Sequence, residues 1–117
     1  MPQYMLLLHE PPNALPPDIS PDEIQGIIKR YMDWRTKVGS NGRKVEGHKL
    51  RDGEGRVMRG KVGAPTITDG PYVEAKEVIA GLFIVEAQDY NEAVTLASDC
   101  PHLQYGTIEI REIEPTG

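Results

Sequence analysis

An α+β fold, an antiparallel sheet with helices on one face, is what this 117-residue sequence predicts, and three observations carry it. Two segments have helical spacing, and each is opened by a capping box. Three apolar runs have strand character, near the start, in the middle and at the end of the chain. Their order along the chain is βαβ followed by βαβ, the ferredoxin-like arrangement, with extra strand or hairpin material inserted between the halves.

The elements follow in order. Tyr4 to His9 reads as a buried strand. Five of the ten prolines then fall within residues 11–21, which makes a stiff, extended connection because proline fixes φ and has no amide proton. Ser20 is placed as an N-cap, with Pro21 at the first helical position and Glu23 closing the capping box. Ile24, Ile27, Ile28, Tyr31, Trp34 and Val38 recur at spacings of three and four, one apolar helical face that ends near Gly39. Residues 39–63 hold seven of the twelve glycines. They read as a short strand around Val45 to Leu50, a turn at Asp52-Gly53-Glu54-Gly55 and a second short strand around Val57 to Met58. Thr66 to Thr68 reads as a further strand, ended by Asp69-Gly70-Pro71. Val78 to Ala87 is a strand in which Gly81 predicts a bulge or a close approach of backbone. Asp89 and Glu92 repeat the capping-box spacing, and Tyr90, Ala93, Val94 and Ala97 form a second amphipathic helix that Pro101 stops. Ile108, Ile110 and Ile113 mark the last strand, with Thr107, Glu109 and Arg111 on its other side.

The length fits a single domain, residues 1–117, large enough for its own core. No apolar run approaches the length of a membrane span, and no secretory leader pattern opens the sequence. The lone Cys100 has no intramolecular disulfide partner, which points to a cytoplasmic location. The net charge of −5 is unevenly spread. Residues 29–61 hold 11 of the 13 Lys and Arg against 4 of the 18 acids, a local +7, and the remainder holds 2 bases and 14 acids, a local −12. A basic segment containing Tyr31 and Trp34 is one feature of nucleic-acid binders. Without a recognised motif and with an acidic whole chain, a solvated helix face and charged hairpin is the reading preferred.

Two helices cover one sheet face only. Leu6, Leu7 and Leu8, and Leu82 to Val85, are nevertheless apolar at both strand parities, where a half-exposed antiparallel sheet should alternate. The second face is therefore expected to meet another copy of the chain, or else to be covered by the 39–70 insertion.

The stretch Thr68-Asp69-Gly70-Pro71-Tyr72-Val73-Glu74-Ala75-Lys76-Glu77 resembles the signature of the DGPF group of YCII-related proteins, with Tyr72 in place of Phe. The segments YMLLLHE, EVIAGLFIVEA, NEAVTLASDCPH and IEIREI extend the resemblance over nearly the whole chain. It implies a dimeric α+β barrel, two ferredoxin-like sheets packed face to face about a two-fold axis. The superfamily includes isomerases, dehydratases, monooxygenases and ligand-binding domains. DGPF proteins largely lack an assigned reaction and are often encoded beside extracytoplasmic-function sigma factors.

Asp69 has two readings: the carboxylate of an ordinary turn, or a base carried from a strand end into a cleft. His102 follows a helix-ending proline, which places it on a loop. There it is either a proton-transfer group or a hydrogen-bonding staple. The resemblance implies a His/Asp pair, and His102 with Asp69 is the pairing expected here. Glu77 is expected to tune that pair, and Glu74 and Glu77 either share a raised pKa or form a solvated salt-bridge set with Lys76. His9 and Tyr72 complete the expected ligand-binding residues with Glu74 and Lys76. His48 is expected to be exposed. The histidines have no short ligand spacing and the glycines match no phosphate or dinucleotide loop, so neither metal nor cofactor is expected. The functional expectation is a cofactor-free small-molecule isomerase or lyase. Its alternative is a non-catalytic ligand-binding or regulatory module acting with a sigma factor, and a bare structural dimer is a third reading.

Overall fold

The computed structural model describes residues 1–70 and 77–116. Its elements are β1 (Gln3–Glu10), α1 (Pro21–Gly39), β2 (Val45–Lys49), β3 (Arg56–Lys61), β4 (Ala64–Asp69), β5 (Val78–Glu86), α2 (Tyr90–Ala97) and β6 (Thr107–Glu112), with a 3-10 turn at Pro101–Gln104. The main sheet has the order β2-β5-β1-β6, antiparallel throughout. This is the ferredoxin-like α+β architecture. β3 and β4 form a separate two-stranded sheet inserted between β2 and β5.

Both helices begin as their sequences dictate. The Ser20 hydroxyl accepts from the Glu23 amide at 3.1 Å, and the Asp89 carboxylate accepts from the Glu92 amide at 2.8 Å. Glu92 reaches back to the Gln88 amide at 3.0 Å and takes the Arg43 guanidinium at 2.8 Å. The Arg43 hydrogen bond leads the effects that hold the Glu92 carboxyl below its usual range.

Alternation along β1 sorts the two faces of the sheet. Tyr4, Leu6 and Leu8 are buried under the helices with Phe83 and Val85 of β5, Trp34 and Val38 of α1, and Ala93 and Ala97 of α2. Trp34 meets Phe83 edge-on at 4.9 Å between ring centroids. Its indole N–H is shared between the Leu96 carbonyl at 3.2 Å and the Asp99 carboxylate at 3.1 Å. Asp99 also pairs with Lys37, whose hydrogen bond is the main cause of an Asp99 pKa below the ordinary value.

Met5 and Leu7 point to the other face, opposite Ile84 and Leu82 of β5. The 39–70 insertion gives this face little cover, since β4 is exposed along its whole length and β3 along nearly all of it. The expected turn at Asp52–Gly55 is present between β2 and β3, and it carries the chain out of the main sheet. β3 and β4 are then closed into a hairpin by a second turn at Val62–Gly63, where Gly63 takes φ +85. In β5, the pairing with β1 slips between Leu8↔Gly81 and His9↔Ile79, so Ala80 is an extra residue. This is the bulge that Gly81 announced. The close approach is present too: a Cβ on Gly81 would lie 2.7 Å from the His48 carbonyl oxygen.

Among the described residues no helix is long and apolar enough to cross a membrane.

Candidate functional site: a cavity between α1 and the sheet

The apolar stripe of α1 does not bury along its whole length. Trp34 and Val38 seat the C-terminal half on the core, whereas Ile24 and Ile28 stay exposed near the N-terminal end. The gap between that first half and the sheet is a cavity of about 400 Å³. Its walls are hydrocarbon from Leu8, Leu15, Ile24, Ile27, Ile28, Ala80 and Phe83, with a few polar groups from Glu10, Tyr31, Arg35, Lys49, Asp52 and Tyr105. A mostly apolar cleft with a small number of convergent polar groups is the usual form of a small-molecule site.

Tyr31 connects this cavity to His102, the buried polar side chain among the described residues. His102 is 1% exposed and lies on the 3-10 turn behind the cavity wall. Its Nε2 is 2.8 Å from the His9 carbonyl oxygen, which can only accept, so Nε2 carries a proton. In the neutral ring Nδ1 is then the acceptor, and the Tyr31 hydroxyl, 3.0 Å away, donates to it. In the charged ring Nδ1 donates instead, and the Tyr31 hydrogen is free to turn towards the cavity. The proton count on His102 thus decides whether Tyr31 accepts or donates there. Burial pushes the Tyr31 phenol well above its ordinary range, which keeps it protonated.

Glu10, the last residue of β1, supplies a carboxyl to the same cavity. Burial raises its pKa, and the nearby His102 and Lys49 partly oppose the rise. Tyr105 closes the wall beside it, its hydroxyl accepting from Arg30 at 3.2 Å.

The residues expected from the sequence fall in three places. His102 is close to the cavity but wholly buried, so its loop position does not expose it. Its partners are Tyr31 and the His9 carbonyl, and Asp69 is not among them. Asp69 ends β4 of the separate hairpin, where its carboxylate meets Arg56 at 3.3 Å and is almost fully exposed. The His102–Asp69 pairing is therefore replaced by Tyr31–His102, because the inserted hairpin carries Asp69 away from the helices. His9 and Glu77 do come together, at 3.9 Å, on the face of the sheet opposite the cavity. There His9 Nε2 also contacts Glu109 at 2.9 Å. Tyr72, Glu74 and Lys76 lie outside the described residues. His48 is exposed beside Glu46, at 3.2 Å.

Glu10 and Tyr31 are the functional candidates that sequence reasoning passed over. Each carried a signal. Glu10 is a carboxylate closing a strand whose centre, Met5 to Leu8, is apolar, and Tyr31 is the only polar-tipped residue between Ile24 and the buried Trp34 on the apolar face of α1.

Among the described residues no group of His, Cys, Asp and Glu has the arrangement to hold a metal ion. A search of curated proteins finds no match to this chain. The model of the YCII-related domain matches residues 2–116, and with the ferredoxin-like fold already in view, the chain belongs to the YCII-related domain family.

Proposed function

We propose that the cavity binds a small, largely hydrocarbon molecule bearing a carbonyl or hydroxyl group, and that the protein moves a proton on it without a cofactor, as an isomerase or lyase. The observation that carries this reading is the Tyr31–His102 hydrogen bond at the wall of an apolar cavity that also holds the Glu10 carboxyl. Tyr31 addresses the ligand oxygen, His102 stores or returns the proton behind it, and Glu10 is the second acid–base group. Two groups of different proton affinity converging on one cleft are what such chemistry requires. Arg35 favours a ligand with an anionic end, whereas the Lys49 ammonium is taken by Asp52 at 2.8 Å.

The test is a nuclear magnetic resonance titration with a panel of small unsaturated acids and ketones in D2O. A ligand that fits shifts the resonances of Tyr31, Glu10 and His102 and takes up deuterium next to its carbonyl group. Tyr31→Phe slows that uptake about 100-fold or more. Shifts confined to the opposite sheet face, or uptake no faster than in buffer for every bound ligand, overturn the catalytic reading. Binding in the cavity without exchange gives the second reading, a ligand-binding regulatory module, which the almost wholly hydrocarbon wall favours.

Glu10 also makes a pH prediction. A carboxyl whose folded pKa is raised opposes folding once it ionises, so its penalty is absent in acid and grows as pH rises through the carboxylate range to the folded value. Glu10→Gln is expected to melt with the wild type at low pH and above it at neutral pH. Thermal melts at the two pH values check this, and a constant offset between the proteins contradicts it.

A homodimer is part of the same proposal. Met5, Leu7, Leu82 and Ile84 make an apolar centre on the open sheet face, with Glu46, Glu109 and His9 around it. An apolar centre inside a polar rim suits a protein interface, and a second copy supplies the matching surface.

A further inference from the structure

We propose that the β3–β4 hairpin is an arm that grips the second copy of this chain, lying along the acidic rim of that copy's open sheet face. The inference rests on the dimer reading above and adds to it a contact and its chemistry.

A two-stranded hairpin on its own is marginal in water. This one is built with little cover from its own chain: Met58 and Ile67, opposite each other in register, are 61% and 58% exposed. Val57, on the other face, turns back to the stem, its Cγ2 occupying space a Cβ on Gly70 would need. The face carrying the Met58–Ile67 pair is thus the one left for a partner.

The root of the arm sets where it reaches. The Leu50 amide bonds the Ala80 carbonyl at 2.9 Å, which ties the outgoing stem to β5 beside the bulge. The returning chain joins β5 near Glu77, which contacts His9 on the open face. The arm therefore leaves the body at the rim of the face assigned to the second copy. Strands of six residues span about 20 Å, enough to cross that rim.

Charge selects the partner. β3 carries Arg56, Arg59 and Lys61, and although Arg56 meets Asp69 of β4 at 3.3 Å, the hairpin keeps a positive excess. The open face of the main sheet carries Glu46, Glu86 and Glu109, with Glu77 at its edge, against Arg111. The positive excess of the hairpin and the acidic open face mean that one copy's arm is drawn to the other copy's body.

The experiment measures dimer dissociation of the full chain by light scattering over a dilution series, with thermal melts to confirm folding. Met58→Asp with Ile67→Asp is expected to weaken the dimer by about tenfold or more while leaving the melt of the body in place. Arg59→Glu with Lys61→Glu weakens it likewise. Mixing that variant with one carrying Glu46→Lys and Glu109→Lys restores association between the two, because the reversed arm meets a reversed rim. Variants that dimerise like the wild type overturn the arm and leave the dimer standing. A dimer weakened by the arm changes but not restored in the mixture overturns the rim as its seat. A wild-type chain that stays monomeric at about 10 μM removes both.

Discussion

Gly106→Ala is expected to destabilise the protein by roughly 3–4 kcal/mol and to lower Tm by more than about 10 °C. A Cβ at this position would sit 1.9 Å from the His9 carbonyl oxygen and 2.9 Å from the Glu10 Cα. Both are backbone, so no side-chain rotation relieves the overlap. The chain must part where β6 begins to pair with β1, at His9↔Thr107. The displaced oxygen is also the one that holds His102 Nε2, so the same methyl group loosens the histidine behind the cavity. Circular dichroism melts give the first readout, and the His102 ring resonances give the second. A melt within about 2 °C of the wild type would show that the contact relaxes cheaply.

Trp34→Ala carries the second large effect, about 3–5 kcal/mol. The indole is buried, lies edge-on to Phe83 and ties α1 to the end of α2 through Leu96 and Asp99. Removing it takes away the wedge that fixes the C-terminal half of α1 while the N-terminal half stands off the sheet. Trp34→Phe keeps much of the ring but not the N–H, and is expected to cost about 1–2 kcal/mol. Urea midpoints for the two variants separate packing from hydrogen bonding. Equal losses would place the stabilisation in the N–H bonds rather than in the packed ring.

Local chemistry was readable from the sequence wherever a few adjacent residues decide the outcome. Ser20 with Glu23 and Asp89 with Glu92 set the helix starts, and Gly81 marked the bulge. What depends on distant pairing was not readable. Asp52–Gly55 and Val62–Gly63 are both plausible turns, and only the pairing of β2 with β5 shows that the hairpin must close at the second. The Ile24, Ile27 and Ile28 stripe has the same period whether it fills a core or lines a cavity, because hydrophobic spacing reports the face of a helix and not its distance from the sheet. His102 was singled out for being near a proline, but its partners lie 71 and 93 residues away in sequence. The Asp69 pairing failed for the same reason: the position of a turn does not say which sheet its strand joins.

The extra residue in β5 leaves the chain before it in step with β1. Side chains alternate along a strand, so an inserted residue taken up inside a regular ladder would reverse the side that every preceding position faces. Ala80 instead bulges out of the pairing, so Ile79 still meets His9 and Val78 still meets Glu10. Glu77, just before them, arrives beside His9 for that reason. A one-residue change of length is thus absorbed where the strand already bulges, whereas one placed beyond Gly81, inside the regular ladder, would exchange the buried and open faces of the strand.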